Sequence, residues 1–285
     1  MILTGLSALI ILISITASGV GLLTADRLTE GNLQRLTAIS SGLLLGSALL
    51  VVLPEGFHMV SSDDGLAYSP LALGTAVAAG FIFMLVLEGM GLSHAIHEEH
   101  HDHHAGHGHG HVHHPNSGLV MAVGLSMHAI GDGLAIGAAT ASGETSISIL
   151  VAFGVLVHRV PAALSLGIFS SHENATSTSI WGGLLLFALA TPAGAITAYF
   201  VLDNVSGPLV GIVLLFSAGT FIYVTTVDTL PSIHNPETGP RSARVVVVSA
   251  ALFAAALFAL SAAGVLTHGE HAEHAMRAAI GSGEM

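Results

Sequence analysis

Cysteine is absent from this chain. That removes disulfides, thiolate metal sites and catalytic thiols together, so any metal must be held by His, Asp, Glu, Asn, Met or backbone oxygen. Lysine is absent too. The six basic residues are all arginine and face 18 acidic ones, for a formal net charge of −12. An acidic, lysine-free chain argues against nucleic acid as a partner. Charge of either sign is scarce: 8% of the 285 residues are charged, where ordinary soluble domains carry roughly a quarter. With 52% hydrophobic residues and a mean hydropathy of +0.78, most of the chain cannot sit in water. The class is therefore an all-α polytopic membrane protein before any motif is read.

A bilayer core takes about 20 apolar residues per helix. Eight stretches qualify, at 2–23, 36–58, 70–93, 118–140, 146–170, 179–202, 205–230 and 245–266. The first lacks a basic leader and is too long for a signal peptide, so it reads as a span. Arg27 and Arg35 fall in the first loop, Arg241 and Arg244 in or beside the seventh, and only Arg277 on the opposite side. Arginine-rich short loops stay cytoplasmic. The expected arrangement is a multi-pass plasma-membrane protein with both termini outside and the odd-numbered loops inside. Residues 1–285 form a single transmembrane domain that includes the loop at 94–114. A short echo links Gly46-Ser47-Ala48 and Leu53-Pro54-Glu55 in span 2 to Ser217-Ala218-Gly219 and Leu230-Pro231 in span 7. The two spans run in opposite directions, as an inverted repeat requires.

The loop at 94–114 holds eleven of the 19 histidines, among them His97, His100, His101, His103, His104, His107, His109, His111, His113 and His114. Neutral imidazole is a good ligand for zinc, nickel and copper. The tract is either a flexible metal trap beside the pore or a solvated linker that binds metal incidentally. His97-Glu98-Glu99-His100-His101 satisfies the pattern of zinc proteases. In so biased a segment, with no apolar face to hold a rigid helix, that match is a decoy.

Ionisable groups inside a bilayer are costly and mark function by default. In span 4, His128 and Asp132 are four residues apart and share one helix face. Gly131, Gly133 and Gly137 beside them let another helix approach. In span 5, His158-Arg159-Val160-Pro161 combines an imidazole with a proline that frees the Val157 carbonyl. His128, Asp132 and His158 together read as a divalent-metal site; the plainer alternative is a buried hydrogen-bonded pair of His128 and Asp132 with His158 separate. Glu55 and His58 end span 2 at its outer mouth, where they gather cations or are ordinary interfacial residues. Glu88 and Asp228 lie toward the cytoplasmic ends of spans 3 and 7, where they line an exit path or pair with Ser, Thr or Arg159. A guanidinium near mid-membrane needs a carboxylate or carbonyl partner. Asp132 is the nearest candidate, with Glu88 and Asp228 behind it. The bland alternative is that Arg159 snorkels to a polar boundary.

His128-Ala129-Ile130-Gly131-Asp132-Gly133-Leu134-Ala135-Ile136-Gly137 resembles the span-4 signature of the ZIP family of metal transporters, and His158-Arg159-Val160-Pro161 its span-5 signature. Residues 43–55 and 216–231 resemble its spans 2 and 7. The resemblance implies a bundle of spans 1, 4, 5 and 6 holding metal against a second bundle of spans 2, 3, 7 and 8. It implies uptake of zinc, with Fe2+, Mn2+ or Cd2+ as other cargoes, into the cytoplasm. Ala129, Arg159 and Ala162 stand where many members carry residues of a second, adjacent metal site. That site is expected to be empty here, with Arg159 in place of the second metal. A basic residue after the span-5 His is similar to the branch that includes the Golgi and cell-surface ZIP proteins of animals. The expected partners are divalent ions and the lipid bilayer, with no cofactor required; a homodimer is one arrangement left open. No enzymatic activity is expected. The rival readings are a cation-diffusion-type exporter, which lacks its second His-x-x-x-Asp pair here, and an intramembrane zinc protease.

Overall fold

In the computed structural model the described residues are 2–25, 30–62, 65–89, 118–172, 176–203, 205–234 and 239–263. Along them run α1 (Ile2–Thr24), α2 (Glu30–Ser47), a π-helical turn (Ala48–Val52), α3 (Leu53–Val60), α4 (Pro70–Gly89), α5 (Gly118–Ala141), α6 (Thr145–His172), α7 (Ser177–Leu202), α8 (Gly207–His234) and α9 (Gly239–Ala262). A two-residue hairpin, β1 (Ser61–Ser62) with β2 (Gly65–Leu66), joins α3 to α4. Because α2, the π turn and α3 run on as one rod, the helices supply eight candidate membrane spans.

Proline explains several boundaries. It lacks an N–H and is pre-set for a first helical turn. Pro70 opens α4, and Gly207-Pro208 and Gly239-Pro240 open α8 and α9. Pro54 cannot donate back to the carbonyl four residues earlier, and the preceding turn widens: the Leu53 amide reaches the Ala48 carbonyl instead. Span 8 begins six residues earlier than the apolar run predicts and ends four residues sooner. Apolarity finds the hydrocarbon-facing part, whereas Pro240 starts the helix out at the polar boundary, where Arg241 and Arg244 stay exposed. The tight α5–α6 turn uses Gly143 at φ 84°, which a side chain rarely tolerates.

The packing resolves into two bundles. One joins α1, α5, α6 and α7, chiefly through α5 against α7 and α1 against α6. The other joins α2–α3, α4, α8 and α9, chiefly through α4 against α8 and α2 against α9. They meet where α2 crosses α6 and α5 crosses α8. Exchanging span 1 with 6, 2 with 7, 3 with 8 and 4 with 5 maps each of these pairings onto another. That is the contact pattern of an inverted repeat.

Small residues set the closest approaches. A Cβ on Gly133 would run into the Thr191 carbonyl, and one on Gly194 into the Ile130 carbonyl, so α5 and α7 touch backbone to backbone. Gly80 and Gly219 do the same for α4 and α8. Gly137 also contacts α7, but Gly131, expected to serve a close approach, has nothing within 4 Å of its Cβ position. In α5, 72% of the apolar window is buried against 17% in α9. The first is therefore central, and the second presents Leu252, Phe258 and Leu260 outward, as a lipid-facing helix does.

Candidate metal site

α5 and α6 bring the three predicted ligands together. His128 Nε2 lies 3.6 Å from Asp132 Oδ1, and His158 Nε2 lies 3.3 Å from Asp132 Oδ2. One ligand atom from each residue falls within 4.8 Å of the others. The i, i+4 spacing of His128 and Asp132 gives the first contact within one helix. The second depends on α6 packing beside α5. A tetrahedral ion with bonds of about 2.0–2.1 Å places neighbouring ligand atoms about 3.3 Å apart. The observed separations are of that size.

The protonation pattern points the same way. His158 Nδ1 is 3.0 Å from the Gly154 carbonyl, one turn back on α6. A carbonyl only accepts, so Nδ1 carries the proton and Nε2 of the neutral ring turns a lone pair toward Asp132 Oδ2. Two acceptors 3.3 Å apart call for a cation between them, either a second proton or a metal ion. Asp132 is 1% exposed, and its Oδ1 accepts no hydrogen bond. An ionised oxygen in that state is costly unless a cation compensates it.

A cavity of about 60 Å³ leads to the site. That admits several waters, each needing roughly 10–15 Å³ of such space. His128, His158 and Pro161 line its inner end; Thr37, Glu88 and Val227 line the outer part. Thr37, Glu88, Pro161 and Val227 lie toward the odd-loop ends of their helices, whereas His158 is at mid-helix. Toward the even-loop side the path is packed. Phe221, fully buried, has its ring 6.2 Å from that of His158 and joins a cluster with Val51, Val52, Val151 and Val155.

The other candidates separate. Glu88 lines the cavity and accepts a hydrogen bond from the Tyr223 hydroxyl. Glu55 is buried on α3 while His58 is exposed, and neither lines the cavity. The side chain of Asp228 and the histidines of 94–114, including the His97–His101 decoy, lie outside the described residues.

Arg159 makes no hydrogen bond or ion pair with Asp132, the expected partner, although that carboxylate is close enough to act on it electrostatically. Arg159 is 1% exposed, so it does not snorkel. Its Nε donates to Ser14 Oγ at 2.6 Å, its Nη1 to Thr191 Oγ1 at 2.5 Å and its Nη2 to the Phe187 carbonyl. The Phe187 ring centre is 4.1 Å from Cζ. The expected carbonyl is there, but hydroxyls and an aromatic face take the place of a carboxylate. Ser14, Thr191, Phe187, Gly154 and Tyr223 were not anticipated. The spacing of Ser7, Ser14 and Ser18 on one face of α1 was the one available signal.

The family model described as ZIP Zinc transporter matches residues 1–267. Zinc transporter ZIP9 of Xenopus tropicalis is 30% identical over 256 residues, covering 75% of this chain and 82% of that protein. ZIP9 of Micropogonias undulatus is 31% identical over 250 residues, covering 73% and 78%. Zinc transporter ZIP1 of Takifugu rubripes is 26% identical over 231 residues, covering 70% and 76%. With the match spanning nearly its whole length, the chain belongs to the ZIP family of zinc transporters.

Proposed function

We propose that the chain carries zinc through the membrane by binding it at His128, Asp132 and His158, and that the ion leaves toward the odd-numbered loops. The carrying observation is the convergence of two imidazoles and a buried carboxylate beside a cavity that is also lined by Thr37, Glu88 and Val227, toward the odd-loop ends of their helices. Two neutral imidazoles and a carboxylate suit zinc, and they also accept Fe2+, Mn2+ or Cd2+. The arginine count favours odd loops in the cytoplasm; on that reading the cavity faces inward and the ion is taken up across the plasma membrane.

Glu88 is the first carboxylate an ion meets on leaving, and Tyr223 holds it in place. Glu55, in the first turn of α3 and toward the even-loop end of span 2, sits where an ion would arrive. Arg159 supplies a fixed positive charge beside His158, in place of a second ion, so one metal is bound per protomer. Neither a resident cofactor nor a catalytic role is needed.

The test is uptake of radiolabelled zinc into proteoliposomes of known sidedness. Single cysteines at Ala105 and Gly283 report the orientation by labelling. Labelling from opposite faces, with zinc moving toward the Ala105 side down its gradient, is expected. Labelling from one face, or movement only toward the Gly283 side, overturns the direction.

A further inference from the structure

We propose that Arg159 is a positioning residue, whose guanidinium pins α1, α5, α6 and α7 into one block and so fixes the spacing of the zinc ligands. This rests on the reading of His128, Asp132 and His158 as the ligand set.

The residue is the largest fully buried side chain in the described structure. Its hydrogen bonds leave α6 in two directions, to Ser14 on α1 and to Thr191 and Phe187 on α7. The polarity of each link is forced. A guanidinium only donates. Ser14 Oγ commits its one proton to the Ile10 carbonyl at 2.6 Å, and Thr191 Oγ1 commits its own to the Ala129 carbonyl at 2.8 Å. Each hydroxyl therefore has its lone pairs turned toward the arginine.

The Thr191 link closes a ring. His158 is bonded to Arg159; Arg159 donates to Thr191; Thr191 donates to Ala129; Ala129 is bonded to His128. The two ligand-bearing helices are thus joined through α7 by a chain of short hydrogen bonds, on the side away from the zinc cavity. Gly133 and Gly194 hold α5 and α7 in backbone contact one turn along, so the Ala129 carbonyl cannot drift from Thr191. A metal site tolerates little misplacement of its ligands, and groups that orient ligands affect binding nearly as strongly as the ligands do.

Charge and geometry separate in two variants. Arg159→Lys keeps the positive charge and loses the planar fork. Thr191→Val keeps the arginine and the side-chain shape and removes the hydroxyl. Zinc binding is measured by titration on protein lacking residues 94–114, and thermal unfolding on the same protein without metal. Each variant is expected to weaken zinc binding about tenfold or more. The double variant is expected to be little worse than the weaker-binding single one, because both cut the same chain. The metal-free unfolding temperatures are expected to show the same non-additivity. Wild-type affinity in both single variants, or effects that multiply in the double variant, overturns the pin. Asp132→Asn serves as control. Zinc binding that survives in it removes the ligand set, and the pin is then judged by the metal-free unfolding of the other variants.

Discussion

Replacing Asp132 by asparagine changes one charge and almost no shape. On the proposed reading the ion would sit between the Asp132 carboxylate and two imidazole nitrogens that lie 3.3 and 3.6 Å from its oxygens. At an effective dielectric of about 20, a unit charge roughly 3 Å from a dication contributes about 11 kcal/mol of attraction. Much of that is offset by the cost of drying both charges. Removing one partner of a buried ion pair costs roughly 3–5 kcal/mol net, or about two to three and a half orders of magnitude in affinity. The asparagine amide is also able to donate to His158 Nε2, which stabilises the empty site and adds to the loss. Metal-free stability is expected to hold or rise, since a buried carboxylate has been removed. The assay is zinc titration on protein lacking residues 94–114, because eleven loop histidines would otherwise dominate the signal. Unfolding of the metal-free variant checks that it is folded. A folded Asp132→Asn protein that binds zinc within about fivefold of wild type would refute the site, since no geometry with this carboxylate as a ligand survives so small a change.

Glu88→Gln and Tyr223→Phe should lower the maximal transport rate by several-fold and leave equilibrium zinc affinity unchanged. Both residues line the cavity rather than the ligand cluster; a matching loss of affinity would place them in the binding site itself. Deleting residues 94–114 should leave transport running with an altered rate or altered regulation, because a histidine-rich segment with no apolar run cannot form the membrane pathway. Complete loss of uptake by correctly inserted protein would make the loop essential.

The membrane class, the number of spans and the residues of the candidate site were legible because each rests on local chemistry. Twenty apolar residues must become a helix in lipid, whatever surrounds them. His128 and Asp132 share a face because four residues make about one turn, and His158 stood out as a costly imidazole within an apolar run. The signatures around these residues also gave the family. Boundaries were less legible where the helix outruns its apolar part, as in α9.

The third dimension alone decided what lies between helices distant in sequence. Ser14 and Arg159 are 145 residues apart, and Thr191 and Ala129 are 62 apart. No spacing rule relates such pairs. The sequence set out why a buried guanidinium needs partners, and adjacency of spans suggested Asp132. In the fold, Asp132 faces the two imidazoles, while α1 and α7 offer Arg159 neutral acceptors on its other side. A hydrogen bond depends on angles and tenths of an ångström. These follow only once Gly133 and Gly194 have let α5 and α7 close to backbone contact, and that contact is a property of the packed bundle rather than of any one helix.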